Sequence, residues 1–185
     1  MRNKTVAFLT QAAMIAAIYV VLTYFISAFN LASGAIQVRI SEALVVLPYF
    51  TPAAIPGVFI GCLISNLITG GAIIDVIFGS LATLIGALGT YALRRHKFLL
   101  TLPPVLSNAI IIPFVLKYVY YPDVAYHLFG IDVSILFYAV TVGVGEIISV
   151  CLFGSILLRV LRPLSGTLGW TIPQKRQPTK LPKHN

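Results

Sequence analysis

Residues 38–50 read VRISEALVVLPYF, and whether this stretch crosses a membrane decides how the whole chain is folded. As an α-helix its thirteen residues reach only about 20 Å, against a hydrocarbon core of about 30 Å, and Pro48 and Pro52 interrupt it. Longer apolar runs flank it, at residues 5–29 before and at 53–68, 73–93, 102–119 and 133–161 after. The first begins like a signal peptide behind Arg2 and Lys4, but it is too long for a cleavable apolar segment and further spans follow, so it counts as the first helix. Charge settles the short stretch. If it crosses, Arg94, Arg95, His96 and Lys97 and the tail with Arg159, Arg162, Lys175, Arg176, Lys180 and Lys183 share the cytoplasmic side with Arg2 and Lys4. If it merges with the next run, both basic clusters move outside and the positive-inside rule is broken twice. The expectation is an all-α bundle of six transmembrane helices over residues 1–162, with both termini in the cytoplasm. A basic, Pro-rich tail over 163–185 follows, anchored at the interface by Trp170, with 171–185 disordered and lying on anionic lipid.

Composition agrees with a membrane protein: 58% of the residues are hydrophobic, 10% are charged, and the mean hydropathy is +0.95. Six spans use nearly the whole of the 185 residues, leaving no room for a soluble catalytic domain. The net charge of +8 does not point to nucleic acid, because the basic residues sit at helix ends and in the tail. Cys62 and Cys151 lie alone in apolar stretches without metal-ligand spacing. There is no GxxxxGK[ST] and no HExxH, and His96, His127 and His184 fall in loops or tail. A P-loop ATPase, an intramembrane zinc site and a Ser/His/Asp hydrolase are thereby excluded; the chain is expected to be no enzyme and to bind no metal or cofactor.

Acidic residues carry the functional signal. Of five in the chain, Glu42, Asp75 and Glu146 lie within the apolar runs, where a lone carboxylate costs about 2.5 to 3.5 kcal/mol even on an insertion scale. Helix direction turns their positions into depths: Gln37, Arg39 and Glu42 at the outer end of the second helix, Asn66 and Asp75 at the outer ends of the third and fourth, Asn108 mid-span in the fifth. Glu146 lies about 20 Å down the sixth. These groups converge on one pocket open to the outside. The alternatives are that Arg39 and Glu42 pair at i, i+3 spacing and that Asp75 caps a helix start; Glu146 has no basic residue within a turn and needs a partner from another helix or a ligand. Small residues at four-residue spacing, Gly57 with Gly61 and Ser65, Gly79 with Thr83 and Ala87, and Ala12 with Ala16 beside Ala13 with Ala17, mark helix contacts.

The stretches QVRISEAL at 37–44, LPYFTPAAIPG at 47–57 running into GCLISN at 61–66, DVIFGSLAT at 75–83, PPVLSN at 103–108 and VGVGE at 142–146 resemble the QueT family. These are substrate-binding S components of energy-coupling factor (ECF) transporters, associated with salvage of queuosine precursors. The resemblance spans roughly residues 5–161. It implies a six-helix protein of a prokaryotic cell membrane that captures its ligand from outside and docks on a shared T subunit driven by two ATPases, so that ATP is hydrolysed by partners. It further implies that Ala12, Ala13, Ala16 and Ala17 form the AxxxA face that meets the T subunit, and that the ligand is a 7-deazaguanine such as queuine or its aminomethyl precursor. Such a base presents a fork of N–H donors suited to a carboxylate, and its aminomethyl group wants a second one. Glu146, Asp75 and Glu42 are the acceptors, with Arg39, Asn108, Asn66 and Gln37 for the remaining polar atoms. Phe78, Tyr118 and Tyr121 are candidate stacking partners, the tyrosines reading first as an interfacial belt. Other readings are an S component for another vitamin-like solute, a stand-alone proton-coupled carrier with Glu146 as relay, and a membrane scaffold.

Overall fold

The computed structural model describes residues 3–28, 39–96 and 99–170. Gln37, the loop at 30–37, Lys97 and the tail at 171–185 lie outside them. The described chain runs α1 (Lys4–Ala28), a 3-10 helix (Ile40–Tyr49), α2 (Ala54–Ile68), α3 (Ile73–Ala92), α4 (Leu102–Tyr120) and α5 (Ser134–Leu164). A two-residue hairpin ladder, β1 (His127–Leu128) against antiparallel β2 (Ile131–Asp132), lies between α4 and α5. The chain is a helical membrane protein: α1, α3, α4 and α5 are long and apolar enough to cross a bilayer, while the 3-10 helix and α2 are apolar but shorter. Large apolar side chains such as Leu9, Met14, Val21, Ile77, Ile85, Ile110 and Leu136 are exposed on the outer faces, as lipid contact requires.

The stretch at 38–50 is the strut of the bundle. Every residue from Ser41 to Tyr49 is buried, and α1, α2, α3 and α5 all pack around it. A helix apolar on every side belongs in an interior. The 3-10 form rises about 2.0 Å per residue, so ten residues span about 20 Å where an α-helix would span about 15 Å. Tightening the coil is how a short segment reaches further. Runs of this length are uncommon, and full enclosure by four helices holds this one.

Glycine and proline set the spacing of the other helices. A Cβ on Gly57 would lie 2.9 Å from the Ala12 carbonyl oxygen, and one on Gly61 would lie 2.7 Å from Tyr19 Cβ, so α1 and α2 touch backbone to backbone. On the other side of the bundle a Cβ on Gly89 would run into Pro103 Cβ, joining α3 to the first turn of α4, where proline costs no hydrogen bond. α2 ends in a Schellman turn: the Gly71 N–H bonds the Asn66 carbonyl at 2.8 Å and Gly70 takes φ +76°, a conformation that glycine adopts without Cβ strain. This four-residue turn brings Asn66 and Asp75 to the same end of the molecule.

Two helices carry π-type turns, Leu116–Tyr120 closing α4 and Ile147–Phe153 within α5. The second begins immediately after Glu146 and packs on the 3-10 strut. Gly154, just beyond it, makes room for Val46, whose Cγ1 would lie 2.7 Å from an added Cβ. At the far end the chain turns back after α5 and stacks Trp170 on Phe50, with ring centroids 5.5 Å apart and planes inclined by 25°.

Candidate functional site

One end of the bundle opens into a cavity of about 410 Å³. Its wall is assembled from Thr23 and Ser27 near the end of α1, Arg39 and Ser41 at the start of the 3-10 helix, Asn66 and Asp75 on either side of the α2–α3 turn, and Tyr120 and Tyr121 at the end of α4. Ile26, Ile112 and Leu116 supply apolar surface. A pocket of this size, mostly apolar with a few converging polar groups, suits a small-molecule ligand.

Asp75 occupies the first turn of α3. Its hydrogen bond comes from Tyr120, whose hydroxyl donates to Oδ2 over 3.0 Å while accepting the Ala72 N–H at 3.1 Å. Tyr120 thus ties the carboxylate to the end of α4 in place of a helix cap. Gly79 lies one turn below: a Cβ there would come within 3.1 Å of Asn66 Nδ2 and 3.3 Å of Asp75 Oδ1. The bare backbone is what lets both polar side chains lie over α3.

Arg39 does not pair with Glu42. Its guanidinium donates to Asn66 Oδ1 and lies 4.0 Å from Cys62 Sγ, and among the described residues no carboxylate stands within ion-pair distance of it, the one such pair being Lys117 with Asp132 at 3.6 Å. Glu42 turns instead into the bundle, 1% exposed. Its Oε1 accepts from the Tyr19 hydroxyl and, at 3.1 Å, from Thr83 Oγ1; its Oε2 accepts from nothing.

Glu146 and Asn108 lie on facing helices at the same depth. They are 5% and 3% exposed, and the Asn108 amide faces the Glu146 carboxyl. Yet neither Glu146 Oε2 nor Asn108 Nδ2 completes a hydrogen bond. Glu146 is also within electrostatic reach of both Glu42 and Arg39. Three buried polar atoms without partners in one region are unusual, since such atoms are nearly always satisfied.

The structure therefore divides the residues singled out from the sequence. Arg39, Asn66 and Asp75 line the cavity; Glu42, Asn108 and Glu146 lie one layer deeper, Glu42 next to the lining residue Ser41 and Asn108 one turn from the lining residue Ile112. Phe78 is 48% exposed on the outer face of α3 and does not line the cavity, nor does Tyr118; Tyr121 does. Gln37 lies outside the described residues. Sequence reasoning passed over Thr23, Ser41 and Tyr120. The adjacent tyrosines at a helix end looked like an interfacial belt, and hydroxyl residues within apolar runs carry no signal that separates lining from internal helix bonding.

The alanines of α1 divide as well. Ala12 and Ala16 are buried against α2, while Ala13 and Ala17 face outward.

Apolar helices with apolar outer faces, enclosing a charged and solute-sized cavity at one end, define a helical membrane protein with a built binding pocket. Residues 9–163 match the family model described as QueT transporter, and the chain belongs to that family. It is 38% identical over 97 residues to a protein of Lactococcus lactis subsp. cremoris (strain MG1363) named Queuosine precursor transporter QueT. That similarity covers 52% of this chain and 56% of the relative, so the chain spans little more than half the length of the curated protein it matches. No solved structure matches it.

Proposed function

We propose that this chain is the solute-binding S component of an ECF uptake transporter in a prokaryotic cell membrane, and that it captures a queuosine precursor of the 7-deazaguanine class from outside the cell. The cavity carries this reading: on a QueT-family chain, about 410 Å³ of space is walled by Arg39, Asn66 and Asp75. A deazaguanine offers adjacent N–H donors that a carboxylate accepts as a fork, a carbonyl that Arg39 or Asn66 can meet, and a flat face for Tyr121.

The distribution of charge supports six crossings with both termini inside. Asp75 opens α3 at the cavity and Arg94 and Arg95 follow its other end; Ser27 closes α1 at the cavity and Lys4 begins it. Arg162 near the end of α5 reaches Tyr49 at the far end of the strut. The basic residues at these helix ends thus gather opposite the cavity, the arrangement expected when that end is cytoplasmic and the cavity faces out. ATP is then hydrolysed by partner subunits, and the outward Ala13 and Ala17 of α1 form a flat surface on which a T subunit can pack.

Mass spectrometry of small molecules retained by the purified chain, followed by isothermal titration, tests the reading. A deazaguanine should be recovered, and Asp75→Asn should weaken its binding by about ten- to a hundredfold through loss of a charge-assisted hydrogen bond. Failure of every deazaguanine to bind overturns it. Purification without T subunit or ATPases from cells that express them would remove the S-component assignment and favour a stand-alone carrier.

A further inference from the structure

The hairpin between α4 and α5 turns at its tip through Phe129 and Gly130, with φ +53° and +82°, between Leu128 and Ile131, which pair across it. Two successive residues at positive φ suit the twist of a two-residue hairpin, and Asn, Asp and Gly adopt that conformation most cheaply. Gly130 meets the requirement. Phe129 does not, because a left-handed backbone brings the Cβ of an L-residue too close to the following carbonyl oxygen. No contact within the described chain offsets this: Phe129 is 96% exposed, the most exposed large apolar side chain among the described residues, and Leu128 and Ile131 are more than half exposed. The base of the hairpin, by contrast, is fastened to both helices. The Tyr126 N–H donates to Ser134 Oγ at 2.9 Å and its ring lies 4.3 Å from that of Phe137, while Lys117 Nζ donates to the Val124 carbonyl at 2.7 Å. A secured base thus holds an unfavourable phenylalanine away from the bundle, at a position where asparagine would cost less.

We propose that the hairpin tip, residues 128–131, is a membrane-interface anchor, and that its partner is lipid, at the boundary of headgroups and acyl chains in the leaflet at the cavity end of the bundle. The tip continues a surface that already meets lipid: it joins the ends of α4 and α5, whose outer faces expose Phe114 and Tyr118, and Leu136 and Val140. Tyr118, Tyr120, Tyr121 and Tyr126 gather on the same connection and are all exposed, and tyrosines concentrate at headgroup level. Polarity is graded along the hairpin in the same sense. His127 and Asp132 face each other at its base, with Asp132 held by Lys117 at 3.6 Å, and the four residues beyond them, LFGI, carry no charge. Burial of apolar surface is therefore the attraction, and the charge of the headgroups is immaterial to it. Tyr120 and Tyr121, at the foot of the same connection, line the cavity, so a tip held by lipid fixes one side of the rim at the bilayer surface. The anchor is independent of which solute the cavity takes.

Trp170 is the one tryptophan of the chain, so Trp170→Phe provides a silent background for a fluorescent reporter at the tip. The full chain carrying Trp170→Phe and Phe129→Trp is placed in phosphatidylcholine nanodiscs, which leave both faces open to solvent. Its emission should be largely lost when the acyl chains carry bromine near their headgroup ends, and should change little on addition of aqueous iodide. Replacing part of the phosphatidylcholine by phosphatidylglycerol should leave both results unchanged. Quenching by iodide and not by brominated lipid puts the tip in water and overturns the anchor. Protection from both quenchers means that protein covers the tip, whether a second copy or the loop at 30–37, and overturns lipid as the partner. Quenching by brominated lipid that appears only with phosphatidylglycerol overturns the apolar basis of the contact. Ile131→Trp in the same background is a second reporter with the same outcomes, and it decides the matter if Phe129→Trp does not fold.

Discussion

The hydroxyl of Tyr19 donates to Glu42 Oε1, joining α1 to the strut 23 residues further along the chain, and Tyr19 is itself fully buried. The bond fixes which way a membrane-buried carboxylate points, and it leaves Oε2 without a hydrogen-bond partner. Tyr19→Phe keeps the ring that packs under Gly61 and removes the donor. It should cost about 1 to 3 kcal/mol, the range for leaving a buried polar group with fewer partners, read as a lower melting temperature in detergent. An unchanged melting temperature would mean Thr83 alone suffices to hold Glu42.

Gly61 is predicted to be the least replaceable small residue between α1 and α2. A methyl group there would sit 2.7 Å from Tyr19 Cβ and 3.0 Å from the Ala16 carbonyl oxygen, neither of which can move without moving α1. Gly61→Ala should destabilise by about 1 to 3 kcal/mol. Gly143→Ala, whose new methyl would have Ala109 Cβ at 3.8 Å as its neighbour, should be close to neutral. Thermal unfolding of the two variants side by side checks the contrast.

The two alanine lines of α1 should answer differently to added volume. Ala13→Leu combined with Ala17→Leu enlarges an outward face and should abolish copurification with the T subunit and ATPases while leaving deazaguanine affinity within about twofold, since surface changes away from a site seldom reach it. Ala12→Leu enlarges a face packed on α2 and should instead lower thermal stability. Normal assembly and uptake in the double variant would show that the outward line meets only lipid.

Topology can be read from one position. With Cys62→Ala and Cys151→Ala as background, a cysteine replacing His96 should resist membrane-impermeant thiol reagents in intact cells and react after lysis. Labelling from outside would reverse the orientation of the cavity.

Asp132 anchors the hairpin that follows α4. The Ser134 hydroxyl and then the Ser134 N–H, at 2.8 Å, hold its carboxyl below the usual carboxylate range against the opposing effect of burial, with a lesser contribution from Lys117. A depressed folded value means that the anchor is fully present at neutral pH and is lost only as pH falls through that lowered value. A carboxyl NMR titration should find Asp132 with its midpoint below that of a free aspartate, and Ser134→Ala should move it upward. A midpoint at the ordinary value would show that the serine does not hold it.

Much of the helical layout was legible before any coordinates. The apolar run at 5–29 became Lys4–Ala28, that at 53–68 became Ala54–Ile68, and that at 133–161 became the start and most of Ser134–Leu164, because solvation by lipid writes itself into composition directly. The coil type of 38–50 was not legible. Composition reports that a segment is apolar; the choice of 3-10 over α comes from the distance it must bridge among four neighbours, which no local pattern contains. The polar residues Arg39, Asn66 and Asp75 were placed at one end by counting turns, and they line the cavity together. What counting could not supply was the pairing: Arg39 bonds Asn66 rather than Glu42 because the backbone at Gly79 is bare and the α2–α3 turn folds Asn66 across it.

Among the described residues, the half of the bundle away from the cavity is built mainly from apolar side chains. Beneath the layer of Glu42 and Glu146, the core is Val45, Val46, Leu47, Phe50, Val58, Leu100 and Val150, closed at the bottom by Trp170. Among the described residues, that apolar plug stands between the mouth and the opposite face. The molecule is in this respect a cup with a solid base and not a pipe. On the solute-binding reading proposed above, what enters by the rim meets that apolar base, so carriage across the bilayer has to come from moving or repacking the cup itself.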